Sequence, residues 1–512
     1  MSPVIRNKLS TTFTGGPRQF SERRDRFIIS ASDFDAVDDA VSELDRFDLE
    51  ADKLNNEPIL IAQPRNKIED VFDRVIQLSD IDANITKIRQ AISEVERARR
   101  TGNPVLEASI STVNATRELI NIIRKLSIIN TAQFVRTQAD YGPANLRLNP
   151  KTKSNLDVST AESAKGNLRR LYNEMGLPEA WETTRGENAI CAIFDTGYSK
   201  DLFSNNRIVN TFHGGSVDSV YASSEGHGTM CAGAALANND RSGVPFNGTA
   251  PEAGIVLVRI TDDKGQIRTD IISEAWDWLI DLDVEKPIIS NHSYGTPLCS
   301  GRPKQKFCNS PQNDLIKRAV STSDISAFYA SGNESGYCGR RPSGITNAIT
   351  GTNSLAEVIT VGALLTNGRE IQRYSSHGRG DCSPISDPKP NVTTPIPMVT
   401  YYGGEDGWEL KDMSTGPFGS GGGTSHASPT TAGIATLMQS KAVADAENGK
   451  DSGIRGENGA MQTEEIKQIL ENTAKIPHAN QINKFGILFS ESGYDARFGN
   501  GAIQVNQALM EV

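Results

Sequence analysis

ENAICAIFDTG, Glu187 to Gly197, is the stretch on which the fold turns. The apolar run Ala189 to Phe194 reads as a buried strand, and it delivers the carboxylate of Asp195 directly into a Thr196-Gly197 turn. Working outward, four more short apolar runs follow: Gly254 to Ile260, Pro287 to Asn291, Ile325 to Ala330 and Val358 to Gly362. They alternate with helical segments from about residue 169 onward. That alternation predicts an α/β domain with a central, mostly parallel sheet covered by helices. In open sheets of this kind reactive groups gather beyond the carboxyl ends of the strands.

Several chemically capable residues fall at such places. An Asp at a strand end, like Asp195, is more often a turn or cap residue than a catalytic one. His227 lies in EGHGTMCAG, where small residues let a helix begin close to other backbone, and a satisfied core histidine is the bland reading. Ser425 lies in GSGGGTSHASPTTAGIATLM, at the start of a small-residue helix whose first turn favours developing negative charge. A lone GTS would read as an N-cap serine in a glycine loop. Asn333, in FYASGNES, follows the run Ile325 to Ala330 and supplies an amide donor. Coincidence changes the odds: Asp, His and Ser occur in that order, each in a small-residue motif, with the amide between the last two.

FDTG, GHGT, ASGN and GTSHASP resemble the four signature blocks of the subtilisin family, and the likeness continues through IISNHSYG, VITVGAL, SSHG, KPNVTTP, TEEIKQILENTA and FGNGAIQVNQAL. The resemblance covers roughly residues 171 to 510, and His227 argues against the sedolisins, which carry an acid there. It implies a subtilisin-like three-layer peptidase domain over 169–512 and a serine endopeptidase acting on polypeptides through an acyl-enzyme. Carried over, Ser425 is the nucleophile, His227 the general base and Asp195 its orienting carboxylate, while Asn333 and the Ser425 N–H hold the oxyanion. Ser293, Tyr294 and Gly295, with Ala330, Ser331 and Gly332, resemble the segments that flank an extended substrate. The sequence departs from the common pattern at Met230, Cys231 and His426. No cofactor is implied for the chemistry. Structural calcium is common among relatives, but Asn238-Asn239-Asp240 and Thr261-Asp262-Asp263 show no fixed ligand spacing.

Ahead of this domain the texture differs, reading as a smaller α+β and helical N-terminal region. Residues 1–24 form an Arg-containing flexible tail. Over 25–84, a strand at Phe27 to Ser30, a helix capped at Ser32 with Phe34, Val37, Val41 and Leu44, a strand at Ile59 to Ile61 and a helix with Ile68, Phe72 and Val75 predict a ferredoxin-like module. Ile85, Ile88, Ile92 and Val95, then Leu119, Ile122, Ile123 and Leu126, predict a helical hairpin over 85–136. Residues 137–168 read as a linker. Many subtilisins carry a ferredoxin-like pro-region, so the resemblance implies that this chain's own N-terminal region is an inhibitor of the peptidase. A docking domain, with an accessory regulator as partner, is the competing reading.

The 512 residues, 37% hydrophobic and 23% charged, exclude disordered, collagen-like and membrane classes. A net charge of -10, dispersed along the chain, offers no nucleic-acid footprint. No run matches a membrane span or the apolar core of a secretory signal, which leads to the expectation of a cytoplasmic enzyme. Six cysteines pull the other way. Cys191 and Cys231 read as buried thiols; Cys299, Cys308, Cys338 and Cys382 lie in loops, where a pair such as Cys299 with Cys308 is open but not fixed by sequence. Without CxxC spacing, metal binding by these four is disfavoured. Basic residues Arg302, Lys304, Lys306, Arg340 and Arg341 read first as loop solvation and second as a preference for acidic substrates. Against the enzyme stands a catalytically silent subtilisin fold used as a scaffold, which should have lost one reacting group.

Overall fold

A computed structural model describes residues 22–31, 35–45, 49–56, 59–65, 129–140, 158–215, 217–221, 226–239, 246–295, 308–335, 349–378, 380–384, 387–397, 399–404, 407–412, 422–450, 459–477 and 494–512. The chain divides into two compact units, Met1–Thr137 with Ser310–Leu315, and Gln138–Asn309 with Ile316–Val512.

In the first unit the elements are β1 (Glu22–Ala31), α1 (Asp35–Asp45), β2 (Leu49–Lys53), β3 (Ile59–Pro64) and β4 (Ile129–Asp140) up to Thr137, the end of β4 from Gln138 belonging to the second unit. The strands are antiparallel in the order β4-β1-β3-β2, with Ile28 opposite Ile61 and Phe27 opposite Phe134. This is the order in which a ferredoxin-like βαββαβ chain closes its sheet. Val37, Ala40 and Leu44 put one face of α1 into the interior, the helical spacing expected of it. Three boundaries change. β1 begins at Glu22, inside the expected tail, and β2 was not anticipated because its LEADK sequence buries only Leu49. β4 occupies residues assigned to the end of the hairpin and the start of the linker, so the unit reaches well past residue 84. The apolar 3.6-residue pattern stops at Leu126, and Ile129, Thr131, Phe134, Val135 and Thr137 are the β-branched and aromatic types that favour a strand. Ser32, the helix expected at Ile68 to Val75 and both hairpin helices lie outside the described residues.

The second unit is built on seven parallel strands: β5 (Ile190–Asp195), β6 (Ile208–His213), β7 (Gly254–Arg259), β9 (Ile288–His292), β11 (Ile325–Ala330), β12 (Ile359–Leu364) and β13 (Val392–Pro395). Their order is β13-β12-β11-β9-β5-β7-β6, with Ile190 aligned to Gly254 on one side and Ile288 on the other. All five expected strands are present. The two unanticipated ones, β6 and β13, are the sheet's edges: IVNTFH of β6 is largely exposed and so lacks an apolar run, whereas VTTP of β13 is buried throughout, with the Thr393 hydroxyl donating to the Gly501 carbonyl and the Thr394 hydroxyl bonded to that of Thr431. Helices α2 (Val158–Met175), α3 (Leu177–Thr183), α4 (His227–Leu236), α5 (Thr269–Ile280), α6 (Pro311–Thr322), α7 (Thr424–Glu447), α8 (Thr463–Thr473) and α9 (Val505–Met510) complete a three-layer α/β domain. α2 starts ten residues before the expected end of the linker. Short strands β8 (Ile267–Arg268) and β10 (Tyr294–Gly295) and the hairpin β14 (Val399–Gly404) and β15 (Gly407–Asp412) lie outside the main sheet. Ala139 and Asp140, at the end of β4, pair antiparallel with Gly295 and Tyr294 of β10.

α7 is buried without interruption from Thr424 to Ser440, which its small residues permit. A Cβ on Gly433 would sit 2.0 Å from Thr249 Oγ1 and 3.3 Å from the Cα of Ala235, so the helix backbone passes almost directly against its neighbours. A disulfide joins Cys308 to Cys382, 74 residues apart, a pairing the sequence had left open. The Cα atoms of the bridged pair are brought to 5.2 Å by tertiary folding, a proximity that loop spacing does not encode. Cys191 and Cys231 are buried and free, as expected. Among the described residues no helix is long and apolar enough to cross a membrane.

Candidate active site

β5 ends on Asp195, and three donors converge on its Oδ1: Thr196 N–H at 2.7 Å, Thr196 Oγ1 at 3.2 Å and His227 Nδ1 at 2.7 Å. His227 is the first residue of α4, directly after the N-cap Gly226. The side chains of Asp195 and His227 are 1% and 6% exposed, so their bond operates away from bulk water. Burial pulls the imidazole pKa down, but the Asp195 carboxylate, with Cys231 beside it, outweighs burial and holds it well above its ordinary value. His227 Nε2 is buried and has no hydrogen-bond partner among the described residues.

Ser425 is the second residue of α7, after Gly423 at φ 78°, a left-handed conformation suited to glycine. Its hydroxyl donates to the carbonyl of Ser293 at 3.1 Å rather than to His227. Pro429, four residues on, has no N–H for the Ser425 carbonyl. That carbonyl instead accepts from Ser293 Oγ at 3.0 Å and Cys231 Sγ at 3.2 Å. One missing helix hydrogen bond thus ties the start of α7 to both α4 and the β9–β10 segment. Asn291 Nδ2 donates to Ser293 Oγ at 3.0 Å, and Ser428 Oγ donates to Asn291 Oδ1 at 2.7 Å, so the Ser293 hydroxyl is held from both elements.

Asn333 follows β11, and its Oδ1 accepts from Thr424 N–H at 3.0 Å and Thr424 Oγ1 at 2.9 Å. Thr424 Oγ1 in turn accepts the N–H of Gly332 at 3.1 Å. Anchoring the carbonyl end fixes which way the amide nitrogen is presented. Gly332 has φ 105°, and a Cβ there would fall 2.5 Å from Glu334 Oε2. The remaining expected residues also sit at one end of the sheet: Ser293 between β9 and β10, Tyr294 and Gly295 forming β10, Ala330 ending β11 and Ser331 following it. Asn353, which the sequence reading missed, donates through Nδ2 to the carbonyls of Tyr294 and Ala330, both at 2.8 Å. It staples together the two segments expected to flank a substrate. Thr424 lies inside the GTSHASP block, where the signal that could have found it was present, whereas Asn353 carries none beyond being a polar residue close to a glycine.

His426, one of the departures from the common pattern, is buried, and desolvation together with the neighbouring His227 lowers its pKa to about 3. Cys231, another, is pushed up to about 12 by burial and then by Asp195. Calcium does not fit the stretch at Thr261-Asp262-Asp263. Asp262 Oδ1 already accepts the N–H groups of Lys264 and Gln266 at 2.9 and 3.0 Å, and its Oδ2 lies 3.7 Å from Arg268. Asp240 of the other stretch, and Arg302, Lys304, Lys306, Arg340 and Arg341, lie outside the described residues.

Residues 149–501 match the model of the subtilase family. The serine protease AprX of Bacillus subtilis is 26% identical over 349 residues, spanning 64% of this chain and 68% of that protein. Thermitase of Thermoactinomyces vulgaris is 39% identical over 92 residues, 17% of this chain and 32% of thermitase. Subtilisin E of Bacillus subtilis is 27% identical over 260 residues, so the chain spans 56% of that relative's length.

Proposed function

This chain belongs to the subtilase family of serine peptidases, and we propose that it cleaves internal peptide bonds with Asp195, His227 and Ser425 as its charge relay. The observation that carries the assignment is the 2.7 Å bond from His227 Nδ1 to Asp195 Oδ1, which fixes the imidazole tautomer and leaves Nε2 as the basic nitrogen. In the reaction the Ser425 hydroxyl turns from the Ser293 carbonyl to Nε2, a change of side-chain rotamer. Nε2 takes its proton as Oγ attacks the scissile carbonyl, then returns that proton to the leaving amine. Asp195 stabilises the imidazolium without accepting the proton. The amide of Asn333 and the N–H of Ser425, at the positive end of α7, receive the oxyanion. An extended polypeptide would lie along Ser293 to Gly295 and Ala330 to Gly332 as an added strand.

We further propose that the N-terminal region restrains the enzyme. Support comes from Ala139 and Asp140, which pair their backbone with Gly295 and Tyr294, the edge a substrate would use. A cytoplasmic site of action would require Cys308 and Cys382 to stay reduced, since such bridges persist in oxidising compartments. Alkylation at the moment of lysis separates the cases: two modified thiols favour the cytoplasm, two protected ones an oxidising location.

Wild type and Ser425→Ala are compared for peptide hydrolysis, fluorophosphonate labelling and intact mass over time. We expect labelling, turnover and N-terminal shortening near residue 140 only in wild type. Folded wild type without labelling, even after removal of residues 1–157, would replace the enzyme reading with the scaffold. An active chain that never shortens would leave the peptidase intact and remove the self-restraint.

A further inference from the structure

His227 and Cys231 are four residues apart on α4, so their side chains leave one face of the helix a turn apart. Cys231 Sγ lies 3.9 Å from His227 Nδ1, and Asp195 Oδ1 lies 2.7 Å from the same nitrogen. Thiol, imidazole and carboxylate ligand atoms all fall within 4.8 Å of one another, and all three residues are buried. A second observation points to a ligand. Asp195 Oδ2 is buried and has no hydrogen-bond partner among the described residues, although its residue is only 1% exposed. One sulfur, one nitrogen and one carboxylate oxygen match a borderline-soft divalent ion such as Zn2+ or Cd2+, and mismatch the all-oxygen demand of Ca2+ or Mg2+.

We propose that Asp195, His227 and Cys231 form an inhibitory site for a Zn2+-class ion, occupied in place of the hydrogen bond that serves catalysis. The inhibitory consequence rests on the charge-relay reading above; the binding does not.

Charges and protons balance. The Cys231 thiol releases one proton to solvent and binds as thiolate. The Nδ1 proton of neutral His227 moves to Nε2, freeing the Nδ1 lone pair for the metal, and Asp195 binds as the carboxylate it already is. Two anionic ligands neutralise the 2+ ion, one proton leaves, and no electron is transferred. A tetrahedral ion about 2.0 Å from nitrogen and oxygen and about 2.3 Å from sulfur holds its ligand atoms roughly 3.3 to 3.6 Å apart. Accordingly the Nδ1–Oδ1 pair opens by about half an ångström, or Asp195 presents Oδ2, while Sγ and Nδ1 close by a few tenths. The Ser425 carbonyl loses the thiol donor but keeps Ser293 Oγ at 3.0 Å. Metal-bound His227 carries its proton on Nε2 and has no lone pair for the Ser425 proton, so turnover stops.

Full-length Ser425→Ala, which cannot digest itself, is titrated with Cd2+ by equilibrium dialysis while the ultraviolet thiolate-to-metal charge-transfer band is followed. We expect a bound ion whose thiolate band disappears in Ser425→Ala/Cys231→Ser; serine still donates to the Ser425 carbonyl, so the fold is kept. In parallel, Zn2+ should inhibit the Ser425-containing enzyme reversibly to EDTA, and Cys231→Ser, normalised to its own metal-free rate, should need about 10-fold or more Zn2+. An unchanged thiolate band or an unchanged Zn2+ midpoint on Cys231→Ser would overturn the site. Should Cys231→Ser misfold, Asp195→Asn in the Ser425→Ala background gives the same dialysis readout with the thiol intact, and undiminished affinity there likewise overturns it. Cd2+ bound through Cys231 in a protein without peptidase activity would keep the site and sink the charge-relay reading instead.

Discussion

The bond between Asp195 and His227 determines the sign of the pH dependence. In the charge relay proposed above His227 serves as base only when neutral, and Asp195 holds its pKa well above the ordinary value against the pull of burial. Activity is therefore absent at low pH and rises as pH climbs through the raised pKa, which places the acid limb of kcat/KM above about 6.5. Asp195→Asn removes the carboxylate and the tautomer it selects. We expect that limb to move down and kcat to fall by roughly 10,000-fold. A wild-type limb at or below the ordinary histidine value would show that the carboxylate does not control this imidazole in solution.

At the scale of the element, α7 shows how a helix can be buried along most of its length, with the proposed nucleophile in its first turn. Small residues let it run against Thr249 and Ala235, and Pro429 withholds one N–H so that the Ser425 carbonyl bonds outside the helix. Gly433→Ala sets two effects against each other. Alanine improves helix propensity by about 1 kcal/mol, whereas its Cβ would enter to 2.0 Å from Thr249 Oγ1, a contact whose relief displaces a side chain that donates to the Thr430 carbonyl at 3.0 Å. Overpacking of this kind costs about 1–3 kcal/mol and should win. Denaturant unfolding of Ser425→Ala with and without the substitution measures it; a more stable variant would mean that the backbones separate without cost.

For the whole molecule, two buried histidines link stability to pH. His292 packs against Trp276 and Tyr329 with ring centroids 5.0 and 4.4 Å away, bonded to Tyr294 Oη and Ser290 Oγ, and burial lowers its pKa well below the ordinary value. His426 is lowered likewise, to about 3. Both stay neutral in the folded chain and take up protons on unfolding. Their contribution is complete above the unfolded pKa of about 6.5 and is lost as pH falls below it, by about 1.4 kcal/mol per pH unit for each group. His227, with a raised pKa, is protonated in both states below that value and adds no slope there. Between pH 6 and 5 the unfolding free energy of Ser425→Ala should fall by roughly 2 to 3 kcal/mol, and His292→Met with His426→Met should flatten the fall. A flat profile before substitution would mean that these rings protonate in place. The Cys308–Cys382 bridge acts at the same scale, closing 74 residues of chain and reducing the freedom of the unfolded state.

What the sequence determined by itself was whatever is written in neighbouring residues. The five interior strands were legible because burial on both faces demands an unbroken apolar run, and Asp195, His227, Asn333 and Ser425 stood out because each lies in a short motif of small residues. The expected face of α1 was legible for the same reason, as a period along one helix. Only the tertiary structure decided matters that depend on residues far apart in the chain. The edge strand β6 is largely exposed and needs no apolar run; the buried threonines of β13 are satisfied by Gly501 and Thr431; β4 owes its place to pairing with β1; Cys308 meets Cys382 across 74 residues. The staple from Asn353 to Tyr294 and Ala330, the anchoring of Asn333 by Thr424 and the turn of the Ser425 hydroxyl toward Ser293 are hydrogen bonds between elements. Their partners are selected by strand register and by how closely helices approach, and neither is a property of a local stretch of sequence.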